Sequence, residues 1–152
     1  MITDLDSLLY KAEAEYLSQQ DLANFKSQIF ALEKRLEIYK ILSSKETEVF
    51  QYVAQQIAKD FADESEAKIE RAFKHWLAII RYCAMAMLFD NPQYFQHRIL
   101  EWLPEQIEAH QMQKLEQSIF LLLQKRLQKI LSSEQFSVLQ PYLEQAQNSL
   151  PK

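Results

Sequence analysis

The chain has 152 residues, 48% hydrophobic and 25% charged, with a formal net charge of -4. That length suits one domain with a sizeable core, and the acidic balance argues against a nucleic-acid partner, which needs a basic face. Glycine is absent and Cys83 is the single cysteine, which excludes Gly-rich phosphate loops and any internal disulfide and points to an all-helical chain in a reducing compartment.

The elements follow in chain order. Residues 4–15 read as a short leading helix. Ser18 is placed to cap a second helix, along which Leu22, Phe25, Ile29, Leu32, Leu36 and Tyr39 alternate steps of three and four. Ser43 and Glu46 fit a capping box, so a third helix is predicted from there through Val49, Tyr52, Val53 and Ile57. Asp63 and Glu66 repeat the pattern ahead of a long apolar helix that ends near Phe89. Asn91-Pro92 restarts a short helix and Pro104 starts another. Leu115, Ile119, Leu122, Leu123, Leu127 and Ile130 line the next, whose IFLLL run at 119–123 is apolar nearly all round and is expected to lie deep. Ser132 and Gln135 box the last helix, which Pro141 is expected to kink and Pro151 to end. No apolar run reaches the ~18 residues that a membrane span needs, and no basic-then-apolar signal pattern opens the chain. An intracellular protein without a transmembrane segment is expected.

The ordered set of segments resembles the phycobiliproteins, the globin-fold light-harvesting proteins of cyanobacteria and red algae. KAEAEYLSQQDLANFKSQI (11–29) is similar to the family's leading helices, with Tyr16-Leu17-Ser18 at its (Tyr/Phe)-Leu-Ser turn. EKRLEIYKILSSKET (33–47) resembles the next helix and turn. IIRYCAMAMLFDNPQYFQHRILEWL (79–103) resembles the family's Leu-Arg-Tyr stretch and the helix after it. The resemblance implies an all-α, globin-like phycobiliprotein fold of about eight helices. It implies one domain over 1–152, with a protruding N-terminal docking helix (1–17) and a globin body (18–148).

The family's pigment segment reads Cys-Leu-Arg-Asp: a cysteine for the thioether to a bilin, an arginine for its propionate, an aspartate for its pyrrole nitrogens. Here the segment is Ala72-Phe73-Lys74-His75. Alanine has no nucleophile, so Ala72 is a degenerate attachment position and no covalent cofactor is expected. AKDFADESEAKIER (58–71), ahead of it, is shorter than its counterpart and lacks the loop that walls the pigment pocket. Cys83 stands ~16 Å along the same helix among Ile79, Ile80 and Met87, the setting of an inert core thiol. His75 carries two readings: an axial or hydrogen-bonding ligand for a noncovalent haem or bilin, with Lys74 on a propionate, or an exposed histidine on the polar side of its helix. His97 and His110 show no spacing suited to zinc, and no metal site is expected. No acid–base or nucleophile constellation stands out, so enzyme activity is not expected.

In the family the first helices pack on a sister subunit, an aspartate there meeting the arginine of the Leu-Arg-Tyr stretch. That arginine is Arg81 here, while the aspartate position is Lys11, which opposes like charges in a self-pair. The leading helix keeps an apolar face at Leu5, Leu8, Leu9, Ala12 and Tyr16, which must dock on something. The resemblance, with these departures from it, implies a non-chromophorylated accessory factor acting by protein contacts in assembly or regulation of phycobilisomes or photosystems. Its place would be the cytoplasm, at the cytoplasmic face of thylakoid membranes. Its partners would be phycobilisome or photosystem assembly proteins, through a homo- or heterodimer of the N-terminal helix. The alternative is a noncovalent tetrapyrrole carrier or sensor using His75.

Overall fold

A computed structural model describes the backbone of residues 2–151 and the side chains from residue 5 onward. Those residues form seven α-helices and one π-helical turn: α1 (Ile2–Ala14), α2 (Gln19–Asp60), α3 (Glu66–Phe89), α4 (Pro92–Phe95), the π turn (Gln96–Leu100), α5 (Leu103–Ala109), α6 (Gln113–Ile130) and α7 (Ser133–Ser149). Two of the eight predicted helices are fused in α2, and a π turn extends α4. Both correct the sequence reading.

The fusion has a physical cause. Ser43 does not cap, because Ile38 and Leu42 before it and Val49, Val53 and Ile57 after it all bury into one core at helical spacing. A break would forfeit that continuous face. Ser44 Oγ instead donates to the Ile41 carbonyl at 3.2 Å, and Glu46 turns to Arg81. Forty-two residues at 1.5 Å each give a rod of about 63 Å, longer than a domain of this size is wide.

Ser18 caps α2 as predicted: its hydroxyl accepts from Asp21 N at 3.1 Å, and the Asp21 carboxylate accepts from Ser18 N at 3.0 Å. Ahead of α3 the cap is Ser65, accepting from Lys68 N, and the Asp63–Glu66 box does not form. Asn91 caps α4 with Pro92 in its first turn, Ser132 and Gln135 box α7, and α7 runs on through Pro141. Asp90 and Gln111 occupy the left-handed region at φ 52° and 55°. The first is an aspartate, a residue whose short polar side chain tolerates that region. The second falls to a residue with no local hydrogen-bonding reason to favour it.

The buried residues form one cluster drawn from α2 to α7, with Trp76, Ile79, Cys83 and Met87 of α3 at its centre. By length and composition α3 is apolar enough to cross a membrane, contrary to the sequence reading. Here it is the central core helix, packed on α2, α4, α6 and α7. In the IFLLL run, Ile119, Phe120 and Leu123 are buried, but Leu121 is 52% exposed, so the run is a two-sided face and does not lie wholly in the interior.

The first half of α2 lies outside this cluster. Between residues 19 and 37 only Asp21 is buried. That half and α1 form a two-helix arm, fixed at its root where Arg35 Nε donates to the Leu88 carbonyl at 3.1 Å and Lys34 meets Glu134 at 3.0 Å.

Candidate functional site

Two regions answer to the sequence-predicted site residues. The first surrounds Ala72. Its methyl group is wholly buried, one helical turn before Trp76, which is also fully buried and lies against Phe120 with ring centroids 5.5 Å apart. Phe73 meets Phe50 edge to face at 6.3 Å. A Cβ with no solvent contact offers neither a nucleophile nor an open space for a tetrapyrrole bonded there. The residues at this position do not fit a covalent bilin.

His75 is not the exposed histidine of the second sequence reading. Its side chain is only 14% exposed, and Nδ1 lies 2.9 Å from Oε1 of Glu116, a carboxylate on α6 with no solvent contact. Burial pushes the Glu116 carboxyl above its ordinary value, and His75 opposes that rise. The Trp76 indole also favours the ionised form, although no hydrogen bond of regular geometry joins its N–H to Glu116 Oε2, and both atoms are buried without a partner. This arrangement orients an imidazole by a buried acceptor. Glu116 was missed from the sequence, yet a signal existed: it falls among Leu115, Ile119 and Phe120, a charge on an apolar face.

Lys74 points away from that pair and meets Glu70 at 3.1 Å on the exposed side of α3. One turn before His75, Arg71 donates to Nδ1 of His110 at 2.7 Å, since a guanidinium has only donors. Cys83 is buried, and loss of hydration alone pushes its thiol far up, out of reach of ionisation. That is the inert core thiol expected.

The second region is the arm with the groove beside it. The predicted face of the leading helix divides: Leu5 and Leu8 are half-buried, whereas Leu9 (63% exposed), Ala12 and Tyr16 are exposed. The half-buried pair is explained by the hairpin, since Leu8 and Ser7 face Asn24, Ser27 and Gln28 of α2. Lys11 pairs with Asp21 at 3.0 Å. That hydrogen bond, followed by those from Ser18, holds the Asp21 carboxyl below the usual range. Arg81 makes a two-pronged contact with Glu46 at 2.7 and 3.0 Å, which lowers Glu46 and raises Arg81. Lys11 and Arg81 thus each have a carboxylate inside the same chain. Between α2 and α3 a groove of about 490 Å³, lined chiefly by Tyr39, Leu42, Ile80, Ala84 and Met85, carries the Glu46–Arg81 pair at its edge.

The α2 stripe faces outward. Leu22, Phe25, Ile29 and Leu36 are 37–46% exposed and Leu32 is half-buried, while Tyr39 at the end of the stripe packs against the core. A family model described as phycobilisome protein matches residues 8–150. No curated protein matches the chain.

Proposed function

From its membership of the phycobilisome protein family, to which this chain belongs, we propose that it acts by protein contact, as a pigment-free accessory factor in the assembly or regulation of phycobilisomes or photosystems. The family is light-harvesting and non-enzymatic, with an all-α, globin-like fold. Within it, one observation carries the reading. The position that answers to the attachment cysteine is a wholly buried alanine, while the arm presents apolar residues to solvent. Light capture needs the first site, association needs the second, and only the second is equipped. Exposed apolar surface on this scale marks an interaction site.

The partners are phycobilisome components or their assembly proteins, reached through the arm, and the place of action is the cytoplasm, at the thylakoid face. The test is isolation of the tagged protein from cells that make phycobilisomes. The denatured chain shows no bilin absorbance, and named phycobilisome subunits co-purify with it but not with a Phe25→Glu variant. A bilin that survives denaturation, or co-purification indifferent to Phe25, overturns the proposal.

A second reading is favoured by one contact. An imidazole whose Nδ1 is fixed by a buried carboxylate has its other nitrogen pre-oriented for a ligand, as in metal-binding histidines. A noncovalent haem or bilin on His75, with Lys74 released from Glu70 to meet a propionate, would show as a Soret shift on adding haem to the purified protein. The shift would disappear in His75→Ala.

A further inference from the structure

The polar side of α6 carries charge of one sign. Between Glu116 and Glu134 the sequence has Lys125, Arg126 and Lys129 and no carboxylate, in a chain whose net charge is -4. Leu121, Lys125 and Lys129 fall four residues apart on one exposed stripe, where Leu121 is 52% exposed. Among the described residues only Arg126 of these cations has a carboxylate in reach. That group is Glu48, with Oε1 at 4.0 Å, and its other oxygen already meets Lys45 at 3.3 Å. Beside the stripe, α6 and α2 leave a recess of about 230 Å³ lined by Tyr52, Lys125, Arg126, Gln128 and Lys129. The Arg126 guanidinium lies over the Tyr52 ring, 4.6 Å from its centroid, and its Nε is buried without an acceptor. Stacking of this kind fixes the guanidinium plane and leaves donors on its edge for an oxyanion.

We propose that this face seats an acidic segment of a partner protein, one carboxylate entering the recess against Arg126 and others lying along Lys125 and Lys129. The proposal stands apart from the arm, which is built from α1 and the first half of α2. Charge complementarity names the partner's chemistry, and three features favour a protein segment over an anionic lipid surface. Lys125 and Lys129 are about 6 Å apart along the helix. That interval matches carboxylates at every fourth residue of a partner helix or every second residue of an extended chain. The recess admits a side chain, whereas a bilayer surface is flat. Finally, three cations fall short of the roughly four to eight that mark recognition of anionic lipid. The apolar side of α6, at Ile119, Phe120, Leu123 and Leu127, is buried in the core and cannot enter a bilayer. Leu121 offers contact to an apolar residue beside the partner's carboxylates.

Fluorescence anisotropy with the purified full chain at low ionic strength tests this. The probe is a labelled helical peptide with glutamate at every fourth position and leucine beside it; its counterpart carries glutamine instead. The glutamate peptide should bind, the glutamine peptide should not, and added salt should weaken the binding. Lys125→Glu and Lys129→Glu should each raise the dissociation constant roughly fivefold with unchanged circular dichroism, since both side chains are exposed. Lys40→Glu, the same charge change at an exposed position of α2 about 18 Å from Tyr52, should not alter it. Arg126→Lys keeps the charge but loses the planar fork, and should weaken binding too. Equal loss in Lys40→Glu overturns the proposal by reducing the effect to net charge, and so does equal binding of the two peptides. An Arg126→Lys variant that binds like wild type overturns the seat on Arg126. Phosphatidylglycerol vesicles that bind while the glutamate peptide does not overturn it in favour of a lipid surface. Phe25→Glu should leave peptide binding intact, so failure here leaves the arm's docking role standing.

Discussion

Among the described residues Glu116 is the one carboxylate with no solvent contact, and its partner His75 is the residue on which the alternative function turns, so the pair invites a direct measurement. Burial holds Glu116 above its ordinary value of 4.5. Between 4.5 and its native value, the folded chain keeps a proton that the unfolded chain has already lost. Stability from this group therefore falls as pH rises through that window, the reverse of the behaviour of Asp21 and Glu46, whose lowered values make stability fall as pH drops. His75→Ala at pH 8 leaves a buried carboxylate with neither oxygen hydrogen-bonded, which costs about 3 kcal/mol. For a chain of this length that lowers Tm by roughly 6 to 12 °C. Below pH 4.5 the carboxyl is neutral in both states and the cost of the same substitution shrinks. Glu116→Gln keeps an acceptor for Nδ1 and removes the charge, so it should change stability by less than about 1 kcal/mol. The assay is urea denaturation of wild type and both variants between pH 4 and pH 8. Subtracting Glu116→Gln from wild type cancels the shared carboxylates and should leave a difference that declines with rising pH. A flat difference, or a His75→Ala cost that grows as pH falls, would refute the assignment of a buried, burial-raised carboxylate.

Three further outcomes follow from separate features. Cys83, buried and held in its thiol form, should not react with a thiol reagent in the native protein and should react at once in denaturant; native labelling would show that α3 opens. Ala72→Cys introduces the missing sulfur at a site with no solvent contact. Expressed with a bilin and an attachment enzyme, it should give no zinc-fluorescent band on a denaturing gel, and such a band would show that the core around residue 72 opens. Ser18→Ala removes the box that starts α2 and should cost the arm about 1 kcal/mol. Hydrogen exchange should reveal this as faster opening of the first turns of α2 with the rates of α3 and α6 unchanged; equal acceleration throughout would mean that arm and body unfold together.

Much of the helix content was legible because apolar periodicity and capping residues are local signals: Ser18, Asn91 and Ser132 each cap the helix that they introduce. The failures share a cause. Ser43 and Glu46 spell a cap as well as Ser132 and Gln135 do, but Ile38, Leu42 and Val49 bury on one core only if the helix continues. Tertiary packing outweighed the local preference. Glu46 and Glu116 both took partners on other helices, Arg81 at a separation of 35 residues and His75 at 41, and nothing in a linear pattern measures such distances. That residue 72 carries no sulfur was readable for the opposite reason: it is a statement about one side chain.

The stripe from Leu22 to Tyr39 shows where periodicity stops being informative. Its spacing establishes that one face of α2 is apolar and must leave water; it does not say into which molecule. The Lys11–Asp21 and Glu46–Arg81 pairs bear on that question, because they flank the apolar face at its two ends and neutralise each locally. Lys26, Glu33 and Glu37 stay exposed on the same half of α2, so a partner is selected there by charge as well as by shape and apolar area.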